Sequence, residues 1–394
     1  MALLLASCYE PSKLVQPTSG GTDTTTTTVS GGVLRTINTG KQICNPSISP
    51  DTVHYPDAML WLGFSGDLVV KDAPAGYITS NVVQHDRLTI SNADNSVAWY
   101  MLKDTIPGAA CELQDPEWSA HPDWIVTMGA YADNGKCDDG NPIYSGWIIR
   151  PYDNARFKFS QAGLDYISTP HAWLDASATA PDSAKVRDTV TYDDLGIATP
   201  ASVQSYFGTN NVVFSWSKIE SGYTIHYIDY SEASPQVRAL AKPAGRETWK
   251  AESGLISPDG KWIAYNLYFR LDQYAAYVQE LKPGSTPILI GDNVTDPHWW
   301  KHPTDPSRWF LVYATLASGQ SYVLTADYSK VTSSTLGATW MQELRLSTGL
   351  PSDLAVEWIG SPRKISDLPF RGGRSPDGRF LATGTNIGYM MELP

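Results

Sequence analysis

Ser257-Pro258-Asp259-Gly260-Lys261-Trp262 and Ser375-Pro376-Asp377-Gly378-Arg379-Phe380 are two copies of one corner. Each is followed by a short apolar run, Ile263-Ala264-Tyr265 in the first and Leu381-Ala382-Thr383 in the second. Proline fixes φ on the way into such a turn, and Asp or Gly accepts the left-handed conformation that reverses the chain. Each copy therefore reads as a tight corner between two strands. A corner that returns in the same chain marks a repeat, and a repeat constrains the fold more than local propensity does.

Four degenerate copies share the plan of a proline, an aromatic or apolar residue two or three places on, a turn, and a strand. Pro46-Ser47-Ile48-Ser49-Pro50-Asp51 precedes Met59-Leu60-Trp61-Leu62, and Pro116-Glu117-Trp118-Ser119-Ala120-His121-Pro122-Asp123 precedes Trp124-Ile125-Val126-Thr127-Met128. Pro170-His171-Ala172-Trp173 reaches Val212-Val213-Phe214-Ser215-Trp216 only after a long excursion, and Pro297-His298-Trp299-Trp300 is followed by Trp309-Phe310-Leu311-Val312-Tyr313. With the two full corners these make six units.

The pattern resembles the TolB-like, WD40-like (PD40) β-propeller repeat, in which each unit is one blade. The resemblance implies an all-β fold, a six-bladed β-propeller of four-stranded antiparallel blades over residues 33–394. In each blade strand a lines the channel, the corner leads into strand b, and c and d lie outward. The clearest unit places a at Gly254–Ser257, b at Trp262–Leu267, c at Ala275–Leu281 and d at Pro287–Ile290. In the next, b is expected at Trp309–Thr315, c at Ser321–Tyr328 and d at Thr339–Leu346. The last unit, with strands at Phe370–Arg374, Arg379–Thr383 and Ile387–Leu393, lacks a d strand. Val33-Leu34-Arg35-Thr36-Ile37 belongs to no other blade and is expected to complete it, which removes two exposed sheet edges.

A chain of 394 residues with 42% hydrophobic content can bury a large core, and a net charge of −12 argues against a nucleic-acid partner, which needs a basic face. No stretch is long enough to span a bilayer as a helix. Residues 1–8 end in Leu5-Ala6-Ser7-Cys8, which resembles a bacterial lipobox, although the basic n-region is missing and the apolar run is short. Residues 9–32, with the run Thr24 to Thr28, have nothing to bury and read as a disordered tether. Lipid on Cys8 would be the chain's sole link to a membrane, placing a monomeric propeller in the bacterial envelope, in the periplasm or at the outer membrane. In an oxidising compartment a Cys111–Cys137 disulfide is expected, with Cys111 on the outer strand of blade one. Cys44, on an inner strand, is expected as a small buried apolar residue.

Linear catalytic motifs are missing: there is no G-x-S-x-G, H-E-x-x-H, Walker loop or C-x-x-C. His121, His171, His298 and His302 recur near the corner and read as turn or channel residues rather than metal ligands. Asp133 to Asn141 offers oxygen ligands for Ca²⁺ without the spacing of an EF-hand, so a polar hairpin loop is the favoured reading and no cofactor is expected. Trp118, Trp173, Trp262, Trp299 and Trp309 are expected on inner strands as packing residues, leaving Trp358 as an exposed binding aromatic.

Propeller topology puts d–a and b–c loops on one face. Three long segments are expected there: Ser65 to Ser96 in blade one, Ala132 to Ser145 in blade two, and Ser347 to Pro369 between blades five and six. They nominate a ligand rim of His85 and Asp86; Asp133, Asn134, Asp139 and Tyr144; and Trp358, Arg363 and Lys364. The insertion Leu174 to Asn210 falls on the opposite face as a lid or docking element. The resemblance implies a non-catalytic envelope lipoprotein that binds a protein or peptide partner; the alternative is a surface propeller that binds or processes a glycan.

Overall fold

The computed structural model describes residues 27–29, 32–38, 43–106, 111–131, 143–153, 155–159, 167–178, 200–218, 222–270, 273–316, 337–384 and 387–394. Six four-stranded antiparallel sheets follow one another along the chain. Blade one is β3 (Ile43–Ile48), β4 (Ala58–Gly63), β5 (Arg87–Asn92) and β6 (Val97–Leu102), and blade two is β7 (Glu112–Trp118), β8 (Ile125–Tyr131), β9 (Ile143–Arg150) and β10 (Ala155–Phe159). Blade three is β11 (Ile167–Leu174), β12 (Val212–Lys218), β13 (Thr224–Asp229) and β14 (Arg238–Ala239); blade four is β15 (Lys250–Ile256), β16 (Trp262–Arg270), β17 (Gln273–Glu280) and β18 (Ile288–Asp292). Blade five is β19 (Val294–Lys301), β20 (Trp309–Thr315), β21 (Ala338–Leu346) and β22 (Val356–Ser366).

The sixth sheet joins the two ends of the described chain in the order β1 (Thr27–Val29), β2 (Gly32–Ile37), β24 (Gly388–Glu392), β23 (Phe380–Gly384). Val33 pairs with Glu392 and Ile37 with Gly388, so the N-terminal strand closes the last blade as expected. Leu34 and Ile37 are 1% and 0% exposed, and Arg35 Nη2 lies 2.6 Å from Glu392 Oε2. Thr27–Val29, expected within the unstructured tether, adds a further strand against β2. Residues 1–26, with the lipobox and Cys8, lie outside the described residues.

Blade five departs from the sequence reading. Its third strand is Ala338–Leu346, in place of a fourth strand expected at Thr339–Leu346, and its fourth is Val356–Ser366, within the expected d–a link. Ser321–Tyr328 lies outside the described residues. In blade one, Arg87–Asn92 and Val97–Leu102 are the third and fourth strands, so the expected loop Ser65 to Ser96 contains a strand. Cys111 therefore leads into the inner strand of blade two, its N–H bonded to Ala130 O, rather than lying on the outer strand of blade one. Cys44 and Cys111 are both disulfide-bonded. Cys44, 2% exposed, is buried as expected but is not a free apolar filler. Cys137 lies outside the described residues.

Blades lock through tryptophans that reach across to a neighbouring blade, two of them forward to the full corners. Trp173 of blade three donates from Nε1 to Pro258 O of the blade-four corner at 3.0 Å, and Trp300 of blade five donates to Ser375 O of the blade-six corner at 2.9 Å. The corner glycines lie against those rings: a Cβ on Gly260 would stand 2.6 Å from Trp173 and one on Gly378 2.9 Å from Trp300, and both have φ near the left-handed value, +75° and +78°. Trp262 and Trp309 head second strands rather than lying on inner ones. The insertion after β11 carries a helix, α1 (Pro200–Phe207), whose Val203 and Phe207 pack with Trp124 and Phe157 between blades two and three.

Candidate functional site

The inner strands of blades one to five each break register at one place; in blade six Phe370–Arg374, expected as an inner strand, makes only an isolated bridge from Arg374 to Leu381. The breaks fall between Cys44 and Ser47, Gln114 and Glu117, Ser168 and His171, Glu252 and Leu255, and Thr295 and His298. At each break sits a residue with positive φ: Asn45, Asp115, Thr169, Ser253 and Asp296, with Gly372 at the equivalent place in blade six. Four are followed by proline, which cannot donate to a ladder and is tolerated at such a bulge. These six residues line a waist of about 50 Å³ in the channel.

A bulge re-aims the side chains that follow it. The residues two places on, Ser47, Glu117, His171, Leu255, His298 and Arg374, all line a cavity of about 500 Å³ that widens from the waist toward the corner face. Its wall adds Trp118, Trp299 and Trp300, and its rim carries corner prolines Pro50, Pro122, Pro258, Pro303 and Pro376 from five blades. A concave, mostly apolar space of this size with a few convergent polar groups has the form of a ligand site.

Polar groups on the cavity floor are held by one another. Ser47 Oγ donates to Glu117 Oε1, Trp118 N–H donates to the same oxygen at 3.0 Å, and Glu117 Oε2 lies 3.5 Å from His298 Nε2. Burial opposes a charge on His298, but the Glu117 carboxylate beside it, with Asp296, raises its pKa on balance. His171 is different: Nε2 donates to Trp118 O and Nδ1 accepts from the Ile256 N–H, both at 3.0 Å, so both nitrogens are spent on the backbone. Burial takes its pKa down to about 4, which fixes it neutral.

The residues of the waist and beside it are also tied to one another. Arg371 Nε donates to Asp296 Oδ2 at 2.7 Å, and Asn45 Nδ2 donates to Asp115 Oδ1. Glu252 accepts from Tyr268 OH at 2.9 Å, and burial, with Asp115 nearby, pushes its carboxyl up to about 7.

The rim nominated from sequence comes together only in part. His85 and Tyr144 converge on Glu112, His85 Nδ1 at 3.4 Å and Tyr144 OH at 3.3 Å, but both are buried. Asp86 is taken by its neighbour Arg87, with two contacts of 2.7 Å. Asp133, Asn134 and Asp139, with the expected Ca²⁺ loop, lie outside the described residues. Trp358, Arg363 and Lys364 are on β22, the outermost strand of blade five, where they pair with Leu344, Met341 and Trp340. Trp358 is half-buried against the blade-five cluster rather than an exposed aromatic, because the segment that looked like a polar link is a strand. Lys364 is 2.5 Å from Asp367.

The cavity lies on the corner face, opposite the face where the rim was expected. Its residues recur at one position per unit, Ser47, Glu117, His171, Leu255, His298 and Arg374, so the column was present in the repeat alignment. Asp51, His54 and Asp123 also stand close enough for a shared ion. Asp51 already accepts from the Val53 and His54 N–H groups and pairs with the His54 ring, so its oxygens are spent locally.

Fold and cavity together define a six-bladed β-propeller with a ligand-sized recess at one mouth of its channel. No protein-family model matches the chain, and no curated protein matches it. Among solved structures it is similar to a protein of unknown function from Dyadobacter fermentans DSM 18053, with 12% identity, a TM-score of 0.41, and 92% of this chain and 99% of that one covered. It is also similar to the Cps50 (Swd1) β-propeller domain of Myceliophteria thermophila, with 9% identity, a TM-score of 0.37, and 91% and 99% covered. A third likeness is to hydrazine synthase of Kuenenia stuttgartiensis, with 10% identity, a TM-score of 0.36, and 88% and 74% covered. The strand pairing, and not these distant likenesses, defines the class.

Proposed function

We propose that this propeller is a non-catalytic binding protein of the bacterial cell envelope that receives a segment of a protein or peptide partner in the corner-face cavity. The cavity of about 500 Å³, built by residues of all six blades, carries this reading. A recess assembled from so many strands is rigid, so little ordering cost is left for the ligand to meet on binding. The histidine and serine groups on its floor support binding over catalysis: His171 is saturated by backbone, and Ser47 is hydrogen-bonded to Glu117 and not to a histidine. Disulfides at Cys44 and Cys111 favour an oxidising compartment, and Leu5-Ala6-Ser7-Cys8 favours lipid attachment there.

A glycan is the second reading, favoured by Trp299, the half-buried one of the three tryptophans in the cavity wall, since a flat aromatic face suits a sugar ring. Capture from envelope extract and a polysaccharide array, each run with the wild type and with Ala120→Trp, separate the two. Ala120 lines the cavity, and a tryptophan there fills it. Loss of an envelope protein from the captured set supports the first reading, and loss of a glycan signal the second. Capture and array signals that are unchanged by the substitution would refute the cavity as the site.

A further inference from the structure

The charges of the cavity wall are unequal in what they already hold. Glu117 is occupied by Ser47, Trp118 N–H and His298. Asp377 Oδ1 accepts from Ser375 Oγ at 2.5 Å and from the Arg379 N–H at 2.9 Å. The cations on the side of blades five and six have no such partners. Among the described residues neither Lys301, Arg363 nor Arg374 makes an ion pair, whereas their neighbours Lys364, Arg371 and Arg379 all do.

Arg374 is the sharpest case. Its guanidinium lies over the Trp300 ring, 4.4 Å from the centroid. Nη1 meets only the Met341 thioether, at 3.3 Å, Nη2 donates to Gly378 O, and Nε is buried with no hydrogen-bond partner. A thioether is a weak acceptor for a charged donor. Met341 is also the register partner of Arg363, so the two guanidinium-bearing residues flank one side chain in the crevice between blades five and six.

We propose that Arg374, with Arg363 beside it, forms an oxyanion subsite where the cavity meets this crevice, and that the ligand presents a carboxylate, sulfate or phosphate group to it. The proposal rests on the cavity being the ligand site. Guanidinium recognises planar and tetrahedral oxyanions through paired N–H donors, and an anion here would replace the thioether as acceptor. It would also relieve the like charges of Arg363 and Arg374. Burial, followed by the repulsion from Arg363, takes the Arg374 pKa down to about 10, and the Asp377 carboxylate at the cavity rim offsets this only in part.

The test is calorimetric and thermal-shift titration of the full chain with phosphate, sulfate, glucuronate and N-acetylglutamate at constant ionic strength, with glucose as neutral control. At least one anion should bind saturably, and the strongest of the four identifies the group the ligand carries. Arg374→Met, which keeps a long apolar stem on Trp300, should weaken it roughly tenfold or more, and the exposed Arg363→Gln by roughly threefold. If Arg374→Met fails to fold, Arg363→Gln carries the test alone. No saturable binding of any of the four anions, or binding unchanged in the folded Arg variants, overturns the proposal. Ala120→Trp lies on the blade-two side of the cavity. If it abolishes partner capture while no anion binds the wild type, the subsite falls and the cavity reading stands.

Discussion

His298 of blade five and Glu117 of blade two meet across the channel, Nε2 to Oε2 at 3.5 Å, although their strands lie on opposite sides of the ring. The contact makes the cavity floor, and it is electrostatic rather than apolar. Glu117→Gln should remove the main influence holding the imidazolium charged and leave burial in command. The His298 pKa, followed by NMR of the ring protons, should then fall toward or below the ordinary value of 6.5. The sign for stability follows: a raised histidine pKa contributes at acid pH and is lost as pH rises through the folded value. A titration unmoved by the substitution would mean that Glu117 does not set this charge.

Glu252 gives a second pH effect. Its folded pKa of about 7 lies above the ordinary 4.5, so the folded state holds a proton that the unfolded chain releases between those values. Stability from this group is full below about pH 4.5 and lost as pH rises through about 7. Glu252→Gln keeps the hydrogen-bonding shape without the charge. The melting temperature of the variant should gain on the wild type between pH 5 and 8, and a constant difference across that range would contradict the assignment.

Gly260 and Gly284 separate backbone strain from packing. Both have left-handed φ, +75° and +73°, but a Cβ on Gly284 meets nothing within 4 Å while one on Gly260 meets the Trp173 ring at 2.6 Å. Gly284→Ala should cost about 1–2 kcal/mol, the conformational term alone. Gly260→Ala should cost about 1–3 kcal/mol more, as for overpacking a full interior. Equal losses in denaturant unfolding would show that the Trp173 contact yields freely.

Blade closure makes the fourth prediction. Removing residues 1–26 should leave the melting temperature nearly unchanged, whereas removing 1–37 takes away Leu34, Ile37 and the ladder to β24. Two buried aliphatic side chains are worth about 1.5–3 kcal/mol each, and the edge they covered becomes open to pairing with other chains. The shorter chain should melt markedly earlier and aggregate; identical melting curves would refute closure by β2.

The repeat corner made most of this ring readable. Its proline and glycine act locally, so Pro258 and Gly260 announce a turn without help from the rest of the chain. Blade five differs from expectation because Ala338–Leu346 takes the third place by pairing with β20, and pairing is non-local, so its sequence alone puts it one place too late. That one slip carried Trp358, Arg363 and Lys364 from a strand into a loop. The cavity was missed for another reason. Ser47, Glu117, His171, Leu255, His298 and Arg374 share no chemistry, so nothing marks them except their common place two residues after the bulge. Proline after Asn45, Asp115, Thr169 and Asp296 was the available sign of that bulge.

The join between β2 and β24 also sets an order in time. The strand that finishes the ring is made first and used last, and at roughly 5–20 residues per second it waits tens of seconds for Gly388–Glu392 to be synthesised. Until then the ring is an open arc with an unmatched edge at each end. Assembly is therefore gated by the meeting of distant ends, and a chain arrested before residue 388 would hold five finished blades without being a propeller.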